Sequence, residues 1–148
     1  MPTNVLVMRL LLAAGLGAAL GLEREYHRKP AGLRTNMLIA IGSAMFTIVS
    51  IQLGGPGMTP DRVASQIVTG IGFLGAGAIL RGNRGVHGLT TAATIWVNAS
   101  IGMAVGAGLH AIAAVTTAVT LVILGAIRPL EGYLERRAKR DGAEHPRD

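Results

Sequence analysis

Five long apolar runs alternate with short polar connectors along the chain. The runs cover roughly residues 5–22, 35–53, 63–80, 90–106 and 111–127. Each approaches the ~20 residues that a helix needs to cross a hydrocarbon core of about 30 Å. The connectors are charged at 23–34, rich in Gly and Pro at 54–62 and basic at 81–89, with a brief Gly-Leu-His at 108–110. Residues 35–53 and 111–127 carry no charged side chain. A soluble helix needs a polar face recurring every 3.6 residues, so these two runs have no place in a soluble bundle. The first run is too long for a cleaved signal segment, and four more follow it. The pattern predicts an all-α, polytopic membrane bundle of about five transmembrane helices. It also predicts a membrane domain over 1–128 and a short basic tail over 129–148.

Composition agrees with that reading. Half of the 148 residues are hydrophobic and 15% are charged, against about 25% charged in soluble domains. The net charge is +6, which in a soluble protein would suggest nucleic acid as partner. Here the basic residues lie between and after the apolar runs, and there are too few rings for a base-stacking platform. Twelve of the fourteen Lys and Arg residues fall in 23–34, in 81–89 or from Arg128 onward. With five spans these three regions share one side, which positive charge makes cytoplasmic. The N-terminus is then outside and the C-terminus inside. In the tail, Leu130, Tyr133 and Leu134 recur at helical spacing, and Glu135 and Lys139 form an i,i+4 pair. A short helix at the anionic inner leaflet is expected there, with disorder beyond Lys139.

The chain carries a short internal echo. Gly32-Leu33-Arg34-Thr35 opens the second run and Gly88-Leu89-Thr90-Thr91 opens the fourth, 56 residues later. A Gly/Ala-rich segment precedes each. Two helix–connector–helix units of like orientation would result, an arrangement that places sites between repeats.

Helices in lipid associate through small residues that let backbones approach. Ala13, Gly17 and Gly21 recur every four residues in the first run. Ser65, Thr69, Gly72 and Ala76 do so at four, three and four in the third, where Gly75 also lies. Thr90, Thr94, Asn98, Gly102 and Gly106 repeat at a constant four in the fourth. Gly17, Gly21, Gly72, Gly75, Gly102 and Gly106 are therefore the expected packing positions. Asn98 lies in mid-span, where its amide needs a partner, either as interhelical glue or in a polar site. Gln66 raises the same question, though it lies nearer the outer interface, where simple hydration is the alternative.

Only Glu23, Glu25 and Asp61 are acidic and close to the membrane. Asp61 follows Pro60 and reads as a helix N-cap. Glu23 and Glu25 could hold a hard cation such as Mg²⁺, or could pair locally with Arg24, Arg28 or Arg34. Glu23, Glu25, Arg34, Gln66 and Asn98 are the candidates for an ion or partner site. Cysteine is absent, which excludes thiolate metal sites and thiol nucleophiles. The histidines are dispersed over both sides of the predicted membrane. Gly70-Ile71-Gly72-Phe73-Leu74-Gly75 follows no strand, so it is not a dinucleotide loop. No catalytic constellation and no cofactor are expected.

Gly21-Leu22-Glu23-Arg24-Glu25, followed by Lys29-Pro30-Ala31-Gly32-Leu33-Arg34-Thr35, resembles the first signature of the MgtC/SapB family. Gln66-Ile67-Val68-Thr69-Gly70-Ile71-Gly72-Phe73-Leu74-Gly75-Ala76-Gly77 resembles the second. Gly88-Leu89-Thr90-Thr91-Ala92-Ala93-Thr94-Ile95-Trp96-Val97, running on to Gly102, resembles the third. The resemblance implies a bacterial inner-membrane protein with about five helices, linked to growth in low Mg²⁺ and to survival inside host cells. It implies action on other membrane complexes, notably the F-type ATP synthase, and not carriage of Mg²⁺ itself. Many members add a soluble C-terminal domain of the ACT type. This chain stops about 20 residues after its fifth run, so that domain is expected to be absent, along with any virulence role that depends on it. The expected function is a non-enzymatic membrane regulator tied to Mg²⁺ homeostasis, which could self-associate. The alternative is a small oligomeric transporter or channel for Mg²⁺ or another cation.

Overall fold

The computed structural model describes residues 1–54, 61–82 and 85–143. Five helices run in order: α1 (Thr3–Tyr26), α2 (Leu33–Leu53), α3 (Asp61–Gly77), α4 (Leu89–Gly106) and α5 (His110–Ala143). A two-stranded ribbon, β1 (Leu80–Gly82) and β2 (Gly85–His87), sits in the α3–α4 connector. Its strands pair antiparallel, with Arg81 opposite Val86. The ribbon is the one departure from an all-helical chain among the described residues.

Helices α1, α2, α4 and α5 are each long and apolar enough to cross a membrane. Helix α3 has 17 residues, about 26 Å at 1.5 Å per residue, slightly short of a full hydrocarbon core. Helix α5 runs through the expected domain boundary at 128 to Ala143, so residues 140–143, expected to be disordered, are helical. Pro129 lacks the N–H that would bond the Gly125 carbonyl. That carbonyl lies near the end of the apolar stretch at Ile127. Helix α3 opens at Asp61, and the capping role expected of its carboxylate lies outside the described side chains.

Helix α4 is the centre of the bundle and packs against α1, α2, α3 and α5. One buried cluster joins Ala13 and Leu20 of α1, Ala40 and Ala44 of α2, Ile101 and Val105 of α4 and Ala113 of α5. A second joins Ile39, Ile67, Ile71, Ile95 and Ala99 across α2, α3 and α4. Large apolar side chains outside these clusters face outward, including Val7 and Leu11 on α1 and Val115 and Val122 on α5. Such a surface suits hydrocarbon surroundings.

The two helix starts that echo one another in sequence are both glycine N-caps. The reasons for glycine differ. Gly88 has φ +92, and a Cβ there would overlap the Ala78 carbonyl oxygen. Gly32 has an extended backbone, and a Cβ there would stand 2.8 Å from Oε2 of Glu25.

Candidate functional site: a polar column between α1, α2 and α4

The α1–α2 turn is tight and conformationally demanding. Arg28 and Ala31, either side of Lys29-Pro30, both take positive φ, 51 and 57. Such conformations cost of order 1–3 kcal/mol each and persist only where surrounding bonds impose them. Two side chains do so here. Glu25 Oε2 accepts the Leu33 backbone N–H at 2.8 Å, satisfying one of the free donors at the start of α2. Asn36 Nδ2 donates to the carbonyls of Ala31 and Gly32.

Glu23 and Glu25 therefore do not form a paired-carboxylate site. Residues two apart on a helix point about 160° away from each other, and Glu25 is committed to α2. Glu23 is nearly buried and stays with α1. The Nδ1–H of His27 faces two Glu23 acceptors, its backbone oxygen at 2.8 Å and Oε1 at 2.9 Å. Oε2 lies 3.8 Å from Nη1 of Arg24. Arg34, expected to join this group, is exposed. No three His, Asp or Glu side chains gather into a metal-binding cluster among the described residues.

Arg24, named above only as a local ion partner for Glu23 or Glu25, also turns into the bundle. It is only 4% exposed, and its Nη2 donates to Thr91 Oγ1 of α4 at 3.0 Å. The signal lay in the first-run stripe, because Arg24 continues Ala13, Gly17 and Gly21 by three residues on the same helix face. All four are buried in α1. From Arg24 a polar column enters the bundle through Thr91, Thr94, Asn36 and Asn98, all buried. Asn98 Nδ2 donates to both the backbone oxygen and Oδ1 of Asn36, at 2.7 and 3.1 Å. Asn36 is a residue not singled out in the sequence, although an amide one turn inside an apolar run was visible.

The constant four-residue stripe of α4 needs correction at its start. Four residues turn a helix by about 400°, so four such steps drift by about 160°. Thr90 consequently falls on the exposed side, and Thr91 takes the inward place. From Thr94 onward the stripe is buried.

The glycines close the seams around this column. A Cβ on Gly17 would stand 2.7 Å from the Asn36 carbonyl oxygen, and one on Gly21 would stand 2.6 Å from Leu33 Cα. A Cβ on Gly102 would overlap the Ala40 carbonyl oxygen, and one on Gly106 would stand 2.5 Å from that of Ala44. Gly75 makes ordinary contact with Ala92 at 3.7 Å. Gly72, expected to pack, meets no neighbour among the described residues. It lies on the outward face of α3, and a Cβ there would meet nothing within 4 Å.

Two further features lie away from the column. Arg9 Nη1 donates to the Gly106 carbonyl at 2.6 Å, placing a cation at the negative end of the α4 dipole. Gly108, at φ +85, leaves room for it, since a Cβ there would stand 2.7 Å from Arg9 Nη2. Gln66 lies apart from the other candidates, in a groove of about 720 Å³ between α2 and α3. Gly42 and Gly70 line the facing walls of that groove, and a Cβ on either would meet nothing within 4 Å.

The sequence model of the MgtC family matches residues 10–133. Protein MgtC of Brucella abortus (strain 2308) is 47% identical over 131 residues, covering 88% of this chain and 55% of the relative. The Escherichia coli (strain K12) protein YhiD, whose name proposes it as a magnesium transporter, is 46% identical over 129 residues. That match covers 82% of this chain and 60% of YhiD. A Synechocystis protein is 44% identical over 137 residues, covering 93% of this chain and 58% of that protein. The chain thus spans between 55% and 60% of the length of these relatives. No solved structure matches it. With the whole polar column from Arg24 to Asn98 inside the matched residues, this membrane-helix bundle belongs to the MgtC family.

Proposed function

We propose that the protein is a non-enzymatic regulator in the bacterial inner membrane, tied to Mg²⁺ homeostasis and acting through contacts with other membrane proteins. The observation that carries this reading is the use made of the buried polar groups. Arg24 bonds Thr91, Asn98 bonds Asn36, and the threonine hydroxyl of Thr94 bonds the Thr90 carbonyl of its own helix. The first two bonds join neighbouring helices and the third is satisfied within α4, and a guanidinium stands at one end of the column. A divalent cation about 5 Å from that guanidinium would be repelled by roughly 7 kcal/mol at an effective dielectric of about 20. Glu23, 3.8 Å from Arg24, is the one carboxylate beside it among the described ion pairs. A Mg²⁺ path through the single bundle is therefore disfavoured. The outward face of α3 and the groove beside it are then surfaces covered by protein, and the F-type ATP synthase is the partner that the family resemblance implies. The orientation that goes with this function puts the α1–α2 turn and the C-terminus in the cytoplasm, as the Lys and Arg distribution supports.

A second reading, an oligomeric cation transporter, is favoured by the small and hydroxyl residues that α3 turns outward and by the name of the Escherichia coli relative. Ion flux into proteoliposomes of the purified protein separates the two. The regulator gives Mg²⁺ flux no greater than empty vesicles, and flux well above that background overturns it.

A further inference from the structure

Between α2 and α3 the bundle leaves a groove of about 720 Å³ open. Its floor is made by Ile39, Ile67, Ile71 and Ile95 of the second buried cluster. Gly42 on one wall and Gly70 on the other carry no side chain to fill it, and a Cβ on either would meet nothing within 4 Å. Leu38, Phe46 and Leu74 line it and stay exposed. The volume falls within the range of clefts that hold a ligand, about 300–1,000 Å³.

The depth of the groove bears on what fits it. Along α2 its lining runs from Thr35 to Phe46, about 16 Å at 1.5 Å per residue. Along α3, which runs back the other way, it extends from Leu74 to Gln66, about 12 Å. One leaflet of a hydrocarbon core about 30 Å thick is about 15 Å deep. A partner helix that crosses the membrane needs a surface through the whole core. One acyl chain entering at the Thr35 end needs a single leaflet, and that is the depth the groove has.

Charge at the Thr35 end selects the headgroup. Arg34 precedes Thr35 and lies four residues before Leu38, on the same face of α2. Helical side chains tilt toward the N-terminus, so Arg34 reaches from the groove toward the membrane face that carries the α1–α2 turn. Arg28, Lys29 and Arg34 are all exposed. None of the three is in an ion pair among the described residues. Basic pockets between helices at the membrane face bind anionic headgroups, and the guanidinium fork matches a phosphate in bidentate fashion. A zwitterionic lipid would bring its own cation to this basic turn.

We propose that the α2–α3 groove is a binding site for one anionic phospholipid, with an acyl chain along Gly42 and Gly70 and the phosphate at Arg34. The site goes beyond the regulator reading and stands without it. A partner that covers this side of the bundle closes over the lipid chain.

Native mass spectrometry of the purified chain in detergent, titrated with phosphatidylglycerol or with phosphatidylcholine of the same acyl chains, counts the lipids retained. One phosphatidylglycerol per chain should be held at concentrations where phosphatidylcholine is lost. Arg34→Ala should lower that affinity about fivefold, the size of one basic residue at an anionic surface. Gly70→Leu fills the groove and should abolish retention, and Gly42→Leu repeats the test from the facing wall. Gly15→Leu, which also enters open space, should leave retention unchanged. Thermal unfolding without lipid separates lost binding from lost folding, and the exposed Arg34 position keeps the test decisive if a leucine variant fails to fold. Equal retention of the two lipids, or retention unchanged by Arg34→Ala, overturns the proposal. Retention that survives in folded Gly70→Leu and Gly42→Leu also overturns it, because the headgroup alone would then be bound.

Discussion

Asn98 of α4 holds Asn36 of α2 by two hydrogen bonds from a single Nδ2, 2.7 Å to the backbone oxygen and 3.1 Å to Oδ1. Asn36 in turn holds the carbonyls of Ala31 and Gly32 in the α1–α2 turn. The mid-membrane seam and the turn at the membrane edge are thus one connected unit. Replacement of Asn98 by Ala removes the seam bonds and leaves the Asn36 oxygens buried without that donor. Interhelical hydrogen bonds of this kind contribute about 0.6–2 kcal/mol. Asn98→Ala should therefore lower unfolding stability in detergent by about 1–2 kcal/mol. Thr117→Ala is the control, because the buried Thr117 hydroxyl bonds only its own helix at Ala113. Equal losses in the two variants would count against the Asn36–Asn98 seam.

Glycine substitutions should divide sharply by position. Gly102→Ala and Gly106→Ala force a methyl group onto the α2 backbone at Ala40 and Ala44. Overpacking of this kind costs typically 1–3 kcal/mol. Gly15→Ala enters open space and should leave stability unchanged. Thermal unfolding of the three variants under one detergent condition measures the contrast.

The cap on α2 gives a third test. Glu25→Ala frees the Leu33 N–H and should cost about 1 kcal/mol, as loss of a capping side chain does. Glu25→Gln keeps an acceptor oxygen and should recover most of that loss. Amide hydrogen exchange at the start of α2 reports the effect directly, with faster exchange in Glu25→Ala alone.

Arg9 should matter for the opposite end of the bundle. Arg9→Leu deprives the Gly106 carbonyl of a charge-assisted donor, an interaction worth about 1.5–3 kcal/mol. The α4–α5 junction near Gly108 should then exchange and be cleaved faster, with the α1–α2 turn unaffected.

Topology can be tested without purification. Reporter fusions after Pro56 and after Asp148 should report opposite sides of the membrane, with the latter cytoplasmic. The same side for both would refute the arrangement derived from the basic residues.

Apolar run length, the glycine and threonine spacings and the family signatures were all legible along the chain, because hydrophobic length and local periodicity are properties of neighbouring residues. They led to five helices with start points within a few residues of those observed, and to Asn98 as a buried amide. The facing of individual side chains was less accessible. Glu23 and Glu25 looked like a pair, yet one turns to His27 and Arg24 and the other caps α2. Helical rotation separates them, and the position of α2 decides which partner each meets.

The amino-acid sequence by itself determined that this is a polytopic helical protein of one family, since only burial in a bilayer suits its long uncharged runs. The tertiary structure alone decided that Arg24 turns inward to Thr91, that Asn36 is the partner of Asn98 and that Gly72 is left uncovered. Those outcomes depend on which helices stand side by side and at what rotation. Contacts between residues more than sixty positions apart, as from Arg24 to Thr91 and from Asn36 to Asn98, leave no trace in local periodicity.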